Sequence, residues 1–263
     1  SCRRGETSGM SVVRETPVRS GAAVTLARAV LRVTAPNAGL MTGPGTNTYV
    51  IGESECAVLD PGPDIASHVA ALITSAPGPI RWIVLTHTHP DHSPAAMRLK
   101  SATGATIIGS AAPADGRQDY ATKIDRPVHE AELIGPPGHE LEPIATPGHA
   151  SNHVCYLHGA SGLLFSGDHI LNGSTTVILA PDGDMSDYLA SLERLRRHSM
   201  SAIAPGHGDL LREPLAAIDG LIAHRLRREA KTLERLGAAG RVTLEELVPR
   251  VYDDVAAALH NLA

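Results

Sequence analysis

A chain of 263 residues, 43% of them hydrophobic, can build one sizeable domain with at most a small appendage, and it has no apolar run near the ~20 residues that cross a bilayer. A formal net charge of −5 and only 3% aromatics weigh against a surface for duplex DNA and against a base-stacking platform. Three scattered cysteines, Cys2, Cys56 and Cys155, do not make a disulfide framework, whereas 14 histidines are an outlier in a residue type that commonly ligates metals.

Residues 1–23 are rich in Arg, Ser and Gly without period and read as a loose terminus. They lack the apolar centre of a signal peptide, so the expectation is a soluble, cytoplasmic protein that does not enter a membrane. Residues 24–34 are β-rich, and a turn-rich loop follows through Thr42-Gly43-Pro44-Gly45. Strands are expected at 46–51 and 56–59, joined by the hairpin Gly52-Glu53-Ser54-Glu55. Asp60-Pro61-Gly62 closes the second, and Asp64 is placed to cap a helix to about Ala76. A β-branched strand covers 80–86, and Ser93 with Pro94 signals a helix to about Ser101. A short strand at 106–108 precedes a Gly-, Pro- and charge-bearing segment, 110–127, expected to be a mobile loop. Strand-like stretches recur at 128–134, 139–146, 153–158, 162–166 and 175–180. A helix over Met185–His198 carries Tyr188, Leu189, Leu192 and Leu195 on one stripe, and a brief strand lies at 203–204. Beyond Arg212 the pattern becomes helical: Glu213–Leu236 closed by Gly237, then 243–248, then a last helix from near Asp253. The class is α/β. The expected organisation is a terminal segment 1–23, a catalytic domain 24–212 and a helical appendage 213–263.

The strand at 80–86 runs directly into His87-Thr88-His89-Pro90-Asp91-His92. Side chains two apart on an extended segment face the same way, so His87 and His89 can reach one ion. Asp91 and His92 lie past the turn and can reach a second. Thr146-Pro147-Gly148-His149, Ser166-Gly167-Asp168 and Pro205-Gly206-His207-Gly208 each place a further ligand where a strand meets a glycine turn. A donor set of imidazole and carboxylate without thiolate suits Zn²⁺, with Fe or Mn as alternatives.

In this order the four segments resemble the signature of the metallo-β-lactamase superfamily, from about residue 24 to 212. The resemblance implies an αββα sandwich with the site at the sheet edges. It implies His87, His89 and His149 on a first metal, Asp91, His92 and His207 on a second, and Asp168 bridging both. Two such ions, ~3.5–4 Å apart, would hold a bridging hydroxide as nucleophile, with Asp91 orienting it. His153 is a candidate general acid, with a structural histidine as the alternative. His169 is expected to support the ligands. Thr175 and Thr176 are candidates to line the cleft.

Other strings are similar to a narrower group, the lactamase-beta-like protein two family. They include Gly45-Thr46-Asn47-Thr48-Tyr49-Val50, Thr175-Thr176-Val177, Asp187-Tyr188-Leu189 and His224-Arg225. That family carries a small winged-helix-like C-terminal domain, of which the tail here would supply only part. Its animal members are endoribonucleases selective for single strands. The first expectation is therefore a dinuclear zinc phosphodiesterase acting on single-stranded RNA. The basic run His224, Arg225, Arg227, Arg228 and Lys231 is either its phosphate-contacting face or a solvated helix face. The alternative is a thioester hydrolase of the hydroxyacylglutathione hydrolase type, with weak β-lactamase side activity. A metal-stabilised binding module ranks last, because all seven ligands are in place. His68, His129, His139, His158, His198 and His260 receive no role from the sequence.

Overall fold

A strand that is apolar on both faces has to be covered on both sides, and the central strands of this chain are of that kind. The structure, a computed structural model, describes residues 18–130, 132–257 and 260. One sheet contains β1 (Ala23–Ala27), β2 (Val30–Thr34), β3 (Asn47–Ile51), β4 (Cys56–Leu59), β5 (Ile80–Val84), β6 (Thr106–Gly109) and β7 (Arg126–Pro127), in that spatial order. It is antiparallel from β1 to β4 and parallel from β4 to β7. The other holds β8 (Leu141–Ala145), β9 (Val154–His158), β10 (Leu163–Gly167) and β11 (Ala202–Pro205), antiparallel except for the parallel β10–β11 pair.

Period-2 alternation sorts the side chains into layers. In β4, Cys56 and Val58 pack with Val69 and Leu72 of α1 (Ala66–Ser75) and with Leu99 of α2 (Ala95–Thr103). The intervening Ala57 and Leu59 face the second sheet and join Tyr156, Phe165 and Ala204. That sheet alternates in the same way. Leu163 and Phe165 point inward, whereas Leu164 packs outward with Leu192 and Leu195 of α3 (Met185–Leu195) and Ile218 of α4 (Pro214–Ala239). The result is the αββα sandwich. A further helix, α5 (Leu244–Val251), packs on α4. Tyr49 and Phe165 meet between the sheets with ring centres 4.7 Å apart. Cys56 and Cys155 are buried free thiols, as expected of small apolar residues; Cys2 lies outside the described residues.

Several boundaries differ from the sequence expectations. The β-rich run 24–34 is two antiparallel strands, because the chain reverses at Ala29, whose φ is 58°. Among the described residues of 128–134 there is no strand; Arg126–Pro127 takes the edge position beside β6, and Ile134 makes only an isolated bridge to Leu141. Residues 175–180 form no strand either. Asp64 does not cap α1, which starts after Ile65; its carboxylate pairs with Arg98 instead. The Ser93 hydroxyl donates to Asp119 Oδ2 at 2.8 Å and leaves the start of α2 uncapped by a side chain. The segment 110–127 is tied down: Asp119 N–H donates to the Thr88 carbonyl at 2.7 Å and Thr122 Oγ1–H to that of Ser93 at 3.1 Å. α4 runs through Gly237 and stops at Gly240. α5 begins with a Thr243–Glu246 capping box. Residues 1–17 of the loose terminus lie outside the described residues, as do 258–259 and 261–263 of the last helix expected from Asp253, whose first residues, 253–255, are turn and bend rather than helix. Among the described residues, no helix is long and apolar enough to cross a membrane.

His158, at the end of β9, is fully buried and stacks on His139 with ring centres 5.5 Å apart. Burial, with His139 beside it, pushes its pKa down from 6.5 to about 4. Between those two values the unfolded chain binds a proton that the folded chain does not. Stability therefore rises with pH across the window and stops depending on this group above about pH 6.5. His158→Gln is expected to lower the slope of unfolding free energy against pH by up to about 1.4 kcal/mol per pH unit between pH ~4.5 and ~6.5. Urea unfolding in chelator-containing buffer measures this, and an unchanged slope would exclude His158 as the source.

Candidate metal centre

The two sheets bring their carboxyl-end loops together at one edge. Thr86, just past β5, is held by three bonds. Its N–H and its hydroxyl donate to Asp60 at 2.8 and 2.7 Å, and its carbonyl accepts from Val154 N–H at 2.8 Å. These bonds join the ends of β4, β5 and the start of β9 immediately before His87. The loop then turns tightly, with His92 N–H donating to the His89 carbonyl at 3.0 Å, and α2 follows. From the other side, Asn47 reaches across to the Pro205 and Gly208 carbonyls at 3.0 and 2.8 Å and holds the loop that carries His207. That loop approaches so closely that a Cβ on Gly206 would lie 2.6 Å from Asp168 Oδ1.

The seven residues expected as ligands fall into two groups. In the first, His89 Nδ1 lies 3.0 Å from both His87 Nε2 and His149 Nε2. In the second, His207 Nε2 lies 3.1 Å from Asp91 Oδ2, and both His92 Nε2 and His207 Nε2 lie 3.3 Å from Asp168 Oδ1. The other oxygen of Asp168, Oδ2, faces the first group, 3.8 Å from His149 Nε2. One carboxylate thus addresses both groups with different atoms.

The hydrogen bonds behind the rings decide which nitrogen each offers. His92 Nδ1 donates to Asp60 Oδ2 at 3.0 Å, His149 Nδ1 to the Val177 carbonyl at 2.7 Å, and His207 Nδ1 to the Gly45 carbonyl at 3.3 Å. Thr86 gives its one hydroxyl proton to Asp60, so it accepts from His87 Nδ1 at 2.9 Å. Four imidazoles therefore aim Nε2 inward, and His89 aims Nδ1. The buried His92 Nε2 and Asp168 Oδ1 lie 3.3 Å apart, without good hydrogen-bond geometry to each other or to another protein group. Buried polar atoms of that kind call for a missing partner, and donors this close together, with their outer nitrogens already committed, fit divalent cations.

Electrostatics agree with that fit. Burial alone would raise the pKa of Asp168, but His207 and His92 beside it hold the carboxyl well below the usual carboxylate range. Burial opposes protonation of His207 as well, yet Asp168 and Asp91 raise it to about 9. His87 is held neutral by burial and by the neighbouring imidazoles. His92 and His207 of the second group are thus biased toward the protonated form, and His87 and His89 of the first toward the neutral one. Cations entering the second group would displace protons.

The remaining candidates take other places. His153 is buried with both ring nitrogens engaged. Nδ1 donates to Thr146 Oγ1 at 2.9 Å, and Nε2 accepts the Asp168 N–H at 3.3 Å. Burial holds its pKa well below the usual histidine value. This geometry does not place His153 as a proton donor to the cleft; it supports the backbone of Asp168. His169 is buried against Tyr188 and takes no ligand position. Thr176 is buried, with its hydroxyl shared between the Asp168 and His169 carbonyls at 2.9 and 3.1 Å. The basic run on α4 is mostly paired within the chain. Arg228 grips Asp254 at 2.7 and 2.9 Å, Lys231 pairs with Asp253, and Arg225 turns inward to Thr176. His68, given no role from the sequence, lies 2.9 Å from Thr48 Oγ1.

Asp60, Thr86 and Asn47 were not singled out from sequence. Asp60 ends a strand at a Pro-Gly turn, the same local setting as the ligands, and that was the available signal. An Asp60→Asn variant keeps the shape but not the charge behind His92. It is expected to bind one of two Co²⁺ ions roughly 10–100-fold more weakly, measured by titration against a chromophoric chelator. Undiminished affinity for both ions would reduce Asp60 to a scaffold role.

A family model described as the metallo-beta-lactamase superfamily matches residues 41–207, which contain every residue of the two groups. A beta-lactamase-like protein 2 homolog of Caenorhabditis elegans is 31% identical over 237 residues, spanning 87% of this chain and 78% of its own. An atrochrysone carboxyl ACP thioesterase of Cryptosporiopsis sp. is 28% identical over 242 residues, spanning 86% and 72%. The crystal structure of a metallo-beta-lactamase family protein from Thermus thermophilus shares the fold, with a TM-score of 0.72 at 20% identity over 87% of this chain and 89% of its own. By the family match and by the worm relative, the chain belongs to the metallo-beta-lactamase superfamily of hydrolases.

Proposed function

We propose that the chain is a dinuclear zinc hydrolase of acyl thioesters. His87, His89 and His149 would hold the first ion, Asp91, His92 and His207 the second, and Asp168 both. When bound, the two ions supply Lewis-acid polarisation of the scissile carbonyl and lower the pKa of a water molecule. The donor set also accommodates Fe or Mn. Asp91 has the most exposed side chain of the second group, 28% against 12% or less for the others. Its Oδ2 is directed at His207 and His92, which leaves Oδ1 to accept a hydrogen bond from the attacking water and to orient it.

The observation that carries the thioester reading is the engagement of His153. Departure of an RNA oxygen as an alkoxide requires a proton donor, and the side chain expected to supply it has no ring nitrogen free. A thiol, with a pKa of about 8.5, leaves as the thiolate without one. Two cations of the basic run that agreed with a single-stranded RNA substrate, Arg228 and Lys231, pair with Asp254 and Asp253. The fungal relative named as an ACP thioesterase supports the same choice.

The test sets acyl thioesters of N-acetylcysteamine beside an unstructured RNA oligonucleotide, using the zinc-loaded chain. Thioester hydrolysis is expected, abolished by a chelator and restored by Zn²⁺, and reduced on the order of 100-fold or more in Asp168→Ala. RNA cleavage without thioester turnover would overturn the reading.

A further inference from the structure

The acceptor that orients His149 sits on a strap with no sheet to hold it. Residues 174–179 follow Asp168 closely in sequence but join neither sheet. The Val177 carbonyl on this strap accepts His149 Nδ1–H at 2.7 Å, and that bond fixes which nitrogen His149 offers to the first group. A carbonyl can orient a ring only if it is itself held in place. Two contacts to the neighbouring Thr176 hold it. The Thr176 hydroxyl ties the strap to the carbonyls of Asp168 and His169. From the opposite side, Arg225 of α4 donates Nη2–H to the Thr176 carbonyl. Its guanidinium carbon lies 5.3 Å from the ring centre of Tyr188, whose hydroxyl donates to the His169 carbonyl at 3.0 Å. Tyr188 also backs the turn before His149, where a Cβ on Gly148 would meet Tyr188 Cα at 2.4 Å. Within one basic run, Arg228 and Lys231 pair with carboxylates, whereas Arg225 is spent on a backbone carbonyl next to the site.

We propose that Arg225 is a positioning residue for the first metal group: from the C-terminal helix it clamps the 174–179 strap so that the Val177 carbonyl keeps His149 Nε2 aimed at the ion. It acts through the strap, by its bond to the Thr176 carbonyl, rather than by a hydrogen bond to a ligand side chain. The inference rests on the metal reading above but not on the substrate, so it stands whichever ester is hydrolysed.

Arg225→Met keeps an apolar stem against Tyr188 and removes the donors, and Arg225→Lys restores one donor. Thr176→Val cuts the hydroxyl ties without touching α4. The intact chain is titrated with Co²⁺, following its visible absorption, with far-UV circular dichroism as the check on folding. Arg225→Met and Thr176→Val are each expected to lose roughly 10–100-fold in affinity for one of two ions, with a changed absorption band for that ion alone. Arg225→Lys is expected to recover most of the loss. Parent-like binding of both ions with the parent spectrum in Arg225→Met overturns the proposal, as does equal weakening of both ions. If the parent chain takes up no stoichiometric Co²⁺, the metal reading itself fails and this inference falls with it.

Discussion

Each imidazole of the site but His89 has one nitrogen committed to an acceptor inside the protein, and the whole arrangement depends on those commitments. The acceptors are Asp60 at the end of β4, Thr86 past β5, Val177 on the strap and Gly45 before β3. They come from four separate parts of the chain. Apart from Thr86 and His87, which are neighbours in sequence, each of these rings takes its acceptor from a distant segment, so the site exists only when two sheets place their loops at a common edge. The sandwich core serves that requirement, because strands buried on both faces leave little freedom for the loops they carry.

Asp60 is the most economical of these devices. One carboxylate takes two bonds from Thr86 and one from His92, so it locks the strand before the ligand loop and a ligand within it. It adopts a φ of 47°, unusual for a residue with a side chain, and its N–H still pairs with the Val84 carbonyl. Removing one of these partners would leave buried polar groups unpaired, which is strongly destabilising.

The ligand types were legible in the sequence because each stands where an apolar strand meets a Gly or Pro turn, and that local grammar survives folding. The layered fold was legible because Cys56–Leu59 and Leu163–Phe165 are apolar without alternation, as strands covered on both faces must be. What the sequence hid was pairing. The role of Asp60 depends on β4 lying parallel to β5, a contact between distant segments. Thr175-Thr176-Val177-Ile178 has the composition of a strand, but the hydrogen bonds it finds come from Thr176, His149 and Arg225 side chains rather than from a sheet. The basic run on α4 resembled a phosphate-binding face because its partners, Asp253 and Asp254, lie beyond the next helix.

The second group draws Asp91 and His92 from the loops of the first sheet, and Asp168 and His207 from those of the other. An ion held there is a cross-link between the two halves of the molecule, closing a loop of more than a hundred residues in the unfolded chain. Once loaded, the two sheets cannot part independently, so slow hydrogen exchange should be shared across both rather than confined to one.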